Sequence, residues 1–170
     1  MGLFHDDRRF LSQLELRVNG RAPALLSSSA IVSDICRVGL NATSGSTSGK
    51  NLDQLPNDVH IRREQVLTDD ALFQSLEVQS FHDGNLTVSV EVLFDADFMD
   101  IFQVRGLLRG KSGNYFEPDI EDGSVLFYYE GLDGRARTTH LEFLPAPSRS
   151  RRTARSGPYR FRRTATRPWA

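Results

Sequence analysis

Apolar and polar residues alternate with a period of two along much of this chain. The clearest case is residues 86–94. Leu86, Val88, Val90, Val92 and Phe94 fall on one side, and Thr87, Ser89 and Glu91 on the other. A period of two with β-branched residues predicts a half-buried strand. The pattern then breaks. Asp95, Asp97 and Asp100 crowd together while Phe98, Ile101 and Phe102 take positions i, i+3 and i+4, which predicts one helical turn or a tight loop with its apolar side inward.

The same alternation marks residues 10–18, with Leu14, Leu16 and Val18 opposite Gln13, Glu15 and Arg17. Asn19-Gly20 follows, a pair suited to a type I′ hairpin turn, and residues 24–26 and 31–40 are the expected return strands. In residues 59–67 the apolar positions slip from odd (Val59, Ile61) to even (Val66), which predicts a bulge. Residues 72–81 and 86–94 flank His82-Asp83-Gly84-Asn85 as a second hairpin, and residues 125–129 and 138–143 flank a third at Asp133-Gly134. Residues 43–51 read as a flexible loop and 107–123 as a surface excursion. Short strands, glycine turns and no long helical period predict an all-β fold, an antiparallel β-sandwich.

Charge divides the chain. All 22 acidic residues precede Leu144, and eight of the 21 basic residues follow it, so residues 1–144 carry −9 and residues 145–170 carry +8. After residue 144 apolar periodicity stops and Arg, Pro, Ser, Thr and Ala dominate. Such a composition predicts disorder. The expected organisation is a β-sandwich domain over 1–144 and an Arg-rich disordered tail over 145–170. Arginine outnumbers lysine heavily, with only Lys50 and Lys111 present, and the tail reads as an out-of-frame extension.

Composition excludes several chemistries. No apolar run approaches the ~20 residues of a membrane helix, and the opening residues lack a signal-peptide pattern. Cys36 is the one cysteine, so no intramolecular disulfide forms and a cytoplasmic location fits. It is expected to serve as a small buried apolar residue. His5, His60, His82 and His140 lack metal-ligand spacing, so no metal is expected. No phosphate loop, dinucleotide fingerprint or nucleophile elbow is present, and no cofactor is expected.

Three segments carry a family resemblance. ADFMDIFQVRG (96–106) resembles the "ADFxDxFxVRG" signature of the N-terminal domain of bacterial amylo-α-1,6-glucosidase-like proteins, which are glycogen debranching enzymes. GLFHDDRRFLSQLELRVNGR (2–21) is similar to that family's "GLFxRDTRFLSxLELxxNG" segment, and LPNDVHIRREQVL (55–67) to its "LPxDTxHxRRER" segment. The segments occur in the family's order across about residues 2–144. Asp6 and Arg8 depart from the pattern, standing where Arg and Thr are usual, as does Gln103 in place of Glu. The resemblance implies a supersandwich-like β-sandwich, with residues ahead of the "GLF" segment and further strands after 144. This sandwich is therefore read as incomplete. The hydrolytic acids would belong to an α-helical-barrel glycosidase domain later in the family's chain, leaving this domain non-catalytic.

The candidate contact residues, for carbohydrate or a domain interface, are Arg62, Asp97, Asp100 and Arg105. Asp97 and Asp100 share one face of a turn, whereas glycosidase carboxyls face each other across a bound sugar. A scaffolding role, with Arg105 as the ion-pair partner, is the stronger reading. Arg62 and Arg63 lie on opposite faces of a strand, so at most one meets a given ligand. Tyr128 and Tyr129 likewise diverge, which leaves one exposed.

The leading expectation is a non-catalytic domain that packs on a glycosidase barrel in α-glucan metabolism. A free-standing carbohydrate-binding module is the alternative. Nucleic-acid binding through the arginine tail is a third reading, which the acidic body disfavours.

Overall fold

The computed structural model describes residues 2–32, 34–42, 59–81, 84–107, 110–152 and 159–169. The loop expected at 43–51 lies outside them. Among the described residues the chain is all-β apart from one four-residue helix, and the strand pairs given in register are antiparallel. It forms two compact units: Met1–Glu15 with Val92–Arg163, and Leu16–Glu91 with Thr164–Ala170.

The first unit opens on a hairpin of β1 (Leu3–His5) and β2 (Arg8–Leu11). Its turn residues Asp6 and Asp7 have φ of 45° and 59°. Asp tolerates this left-handed region better than most side chains. Further along the chain come β9 (Asn114–Tyr115), β10 (Asp119–Glu121), β11 (Ser124–Glu130) and β12 (Ala136–Glu142), which form one sheet with β11 paired to the other three. The hairpin expected at Asp133-Gly134 joins β11 to β12, with Gly134 at φ 68°. Alternation in β11 sends Val125, Phe127 and Tyr129 inward and Leu126 and Tyr128 outward. The inward side packs with Leu11, Phe94, Ala96 and Phe98 as this unit's core, bordered by Phe10, Leu141 and Phe143.

The second unit holds the sheet β4 (Ala24–Val32), β5 (Ile35–Ala42), β6 (Val59–Leu67) and β7 (Leu72–Ser80), in that order. Its inner face buries Leu40, Ala42, Val59 and Ile61. Its other face is laced by cross-strand pairs, Arg37 with Glu64 and Arg62 with Glu77.

Several local expectations change. The Asn19-Gly20 turn forms, with φ of 50° and 80° and a Val18–Arg21 bridge, but β4 then pairs with β5 rather than returning along the preceding strand. Residues 31–40 are split between β4 and β5. β6 keeps continuous register with both neighbours, so the expected bulge is absent; the irregularities lie between β4 and β5. The slip in β6 instead reflects a face that turns from apolar to polar, where Arg63 and Gln65 both donate to Gln74 Oε1 at 2.8 and 3.2 Å. Cys36 is half-buried rather than buried.

β8 (Gly84–Asp95) does not pair with β7, so the second expected hairpin is not one. β8 lies in another sheet, ordered β13 (Arg149–Arg152), β14 (Tyr159–Trp169), β8 and β3 (Gln13–Val18). His82 and Asp83, in the expected turn, lie outside the described residues. Nor is β8 half-buried: Ser89, Glu91 and Leu93 are buried as well as Val88 and Phe94.

Beyond residue 144 the described residues include two further strand segments. β13 pairs with β14 from Arg149–Arg162 to Arg152–Tyr159, and β14 lies beside β8.

Candidate functional site

The corner predicted around residues 95–106 forms where β8 ends. The chain leaves β8 at Asp95 and runs back along β2. Ser12 N–H donates to Asp95 O (2.8 Å), Arg9 N–H to Met99 O (2.8 Å) and Ile101 N–H to Asp7 O (2.9 Å), with a bridge between Arg8 and Asp100. Two of the three family-like segments are thus sewn together by main-chain bonds. Phe98 sits at the bend with φ 48°, a rare conformation for a side-chain-bearing residue. Its ring is 1% exposed; it stacks on Tyr129 at 5.4 Å and meets Phe10 edge-on at 5.7 Å. Packing on both sides holds the strained backbone in place.

Helix α1 (Ile101–Val104) follows. Asp100 caps it by accepting from the N–H groups of Phe102 (3.0 Å) and Gln103 (2.9 Å), and Gln103 Oε1 accepts from Asp100 N–H (3.1 Å), a reciprocal capping box. Glutamine at 103 therefore serves as well as the usual Glu. Ile101 is half-buried, but Phe102 is exposed, contrary to the inward side expected of both. A single turn exposes whatever lies beyond its inner edge.

Asp97 pairs with Arg9, not with Arg105. Arg9 Nε donates to Asp97 Oδ1 (3.0 Å) and its terminal nitrogen to Oδ2, a two-pronged contact with side chains only 14% and 23% exposed. Arg105 stands at the helix C-cap with its residue exposed. Arg62 belongs to the second unit, where its guanidinium meets Glu77 at 2.9 Å across the outer face of the sheet. Asp97 and Asp100 thus share one corner, each committed to a scaffolding contact.

Sequence reasoning missed the aromatic and cationic lining of this corner. Arg8 donates to Phe98 O and lies over the Tyr129 ring at 5.7 Å. Tyr115 donates its hydroxyl to Asp97 O, and its ring leans on Tyr129 at 4.6 Å. Burial pushes the Tyr115 phenol up to about 12, and the nearby Tyr129 and Asp97 push it the same way. The Tyr129 hydroxyl accepts from Gly113 N–H at 3.1 Å. The sequence signal for Arg9 was the placing of two arginines in the strand Arg8–Leu11 of a chain with a three-aspartate corner. Nothing in the sequence tied Tyr115 to Asp97.

Chemically the corner is a braced scaffold. Among the described residues no group of three or more His, Cys, Asp or Glu side chains is arranged to hold a metal ion, and no helix is long and apolar enough to cross a membrane. A family model described as the N-terminal domain of some glycogen debranching enzymes matches residues 1–164. That span includes all three resembling segments and extends 20 residues past the expected end of the domain. No curated protein and no solved structure matches the chain significantly.

Proposed function

The chain belongs to the family of N-terminal domains found in glycogen debranching enzymes, and on that premise we propose that it is a non-catalytic accessory domain of an amylo-α-1,6-glucosidase-like protein. Its role is to pack on an α-helical-barrel glycosidase domain and help shape the α-glucan cleft. One observation carries this reading. The acid-rich corner, the least bland feature of the sequence, spends Asp97 on Arg9 and Asp100 on a helix N-terminus. Both carboxyls are tied to partners within the chain, as scaffold groups are.

Exposed apolar surface supports the packing role. Leu25, Leu26, Ile31 and Val32 are all about half exposed or more on β4, an edge strand of its sheet. Such an edge invites a covering partner or aggregation. The nucleic-acid reading loses ground because the arginine-rich segment contributes strands to a sheet and falls largely within the family match.

The test is incubation of the purified chain with a branched limit dextrin. No glucose should be released. Release above a heat-killed control overturns the non-catalytic reading. Co-expression with a matching barrel domain should raise the soluble yield; an unchanged yield counts against the packing role.

A further inference from the structure

The outward face of the sheet formed by β9–β12 belongs to none of the contacts described so far. Register places its side chains in rows. Tyr128 lies opposite Thr138, with Phe116 on the other side, its N–H bonded to Tyr128 O at 3.2 Å. Leu126 lies between His140 and Asp119. Phe116 and Tyr128 meet edge to face at 5.0 Å, and they remain 50% and 38% exposed. Thr138, His140 and Asp119 are exposed as well.

Two aromatic rings in solvent, with a hydroxyl, an imidazole and a carboxylate in the same and the adjacent row, make a mixed surface. Strands are about 4.8 Å apart, so these polar groups stand within one side chain's reach of the rings. The charge on this face is one-sided. Glu121 and Glu142 extend the acidic rows, and no Arg or Lys occupies an outward position between Asn114 and Glu142 on these four strands. A polyphosphate or an anionic lipid surface is repelled by such a face. A neutral, polyhydroxylated chain suits it: apolar C–H faces lie on the rings, and hydroxyls donate to Asp119 and exchange hydrogen bonds with Thr138 and His140.

We propose that the Phe116–Tyr128 row, with Thr138, His140 and Asp119, is a docking platform for a neutral oligosaccharide, an α-1,4-linked glucan chain. The naming of that glucan rests on the reading of the chain as a domain of an α-glucan enzyme. The platform would hold a polymer on the domain while the bond-breaking step occurs elsewhere.

The test uses the full chain with maltoheptaose in solution and with glycogen cast into a native gel. Wild type should be retarded by glycogen and should bind maltoheptaose. Tyr128→Ala should weaken binding about tenfold, the effect of losing one ring contact, and Tyr128→Phe should keep most of it. Near-ultraviolet circular dichroism and a melting curve establish that each variant is folded. An unretarded wild type overturns the proposal, and so does a folded Tyr128→Ala variant that behaves as wild type. Binding of hepta-arginine without binding of maltoheptaose also overturns it, assigning the face to a basic peptide. Release of glucose would sink the non-catalytic reading and leave the platform standing, whereas loss of retardation removes the platform alone.

Discussion

Arg9 holds Asp97 through two hydrogen bonds across 88 positions of sequence. The pair fastens the first hairpin to the end of β8, and both side chains are mostly shielded from water. Removing one partner leaves the other desolvated and uncompensated, which costs more than the pair itself contributes. Arg9→Met or Asp97→Asn alone should lower stability by about 1–3 kcal/mol in urea melts. The double variant should lose less than the sum of the two, with a coupling of about 1 kcal/mol or more. Strict additivity would mean that the contact is decorative.

Asp100 is a cap before it is anything else. Its carboxylate satisfies two backbone donors of a helix too short to persist without help. Asp100→Ala should cost about 1 kcal/mol, and Asp100→Asn should cost much less because asparagine caps nearly as well. Thermal melts of the two variants decide this. An Asn variant as damaged as the Ala variant would show that the negative charge, rather than the capping geometry, matters at this position.

Phe98 combines burial with a left-handed backbone, and the two can be separated. Phe98→Ala should cost about 3–5 kcal/mol from the lost ring. Phe98→Gly loses the same ring but relaxes the backbone at φ 48°. Glycine should therefore equal or exceed alanine in stability here, the reverse of the usual order in strands and helices. Chemical denaturation of the two variants checks the order directly.

Periodicity made the strands legible, and side-chain chemistry at the corner stayed hidden. Leu14, Leu16 and Val18, or Val125, Phe127 and Tyr129, announce themselves because a strand's two faces see different solvents. Which sheet a strand joins is a long-range choice. The Asp83-Gly84 pair was visible, but β7 and β8 lie in different sheets. Partner choice at Asp97 was hidden for the same reason. Arg105 is nearby in sequence and Arg9 is not, yet backbone pairing of β2 with residues 95–101 brings Arg9 alongside.

Gly113 is a second place where shape rather than chemistry decides. A Cβ there would overlap the Glu130 carbonyl oxygen and the Tyr129 hydroxyl, which accepts from the Gly113 N–H. Backbone cannot yield as a flexible side chain can. Gly113→Ala should lower stability by about 1–3 kcal/mol through overpacking and loosen the Tyr129 ring. The accompanying readout is loss of near-ultraviolet tyrosine dichroism. At Gly110, where added bulk meets only open space, Ala should be nearly neutral.

Tyr115 gives the corner a signature at high pH. Its phenol is pushed up to about 12, first by burial and then by Tyr129 and Asp97, while the unfolded chain releases the same proton near 10. The folded state therefore holds a proton that the unfolded state has already lost. Between those values the unfolded state binds fewer protons, so unfolding becomes easier as pH rises. The stability contributed by this group is fully present below pH about 10 and is lost as pH climbs toward about 12. Because the ring is about half exposed, solvent screening blunts the size of the loss. Ultraviolet titration of tyrosinate should show a late-titrating component that Tyr115→Phe removes, and that variant should have a flatter fall in melting temperature between pH 10 and 12. If the late-titrating group survives the substitution, the hydroxyl bonded to the Asp97 carbonyl is not what sets it apart.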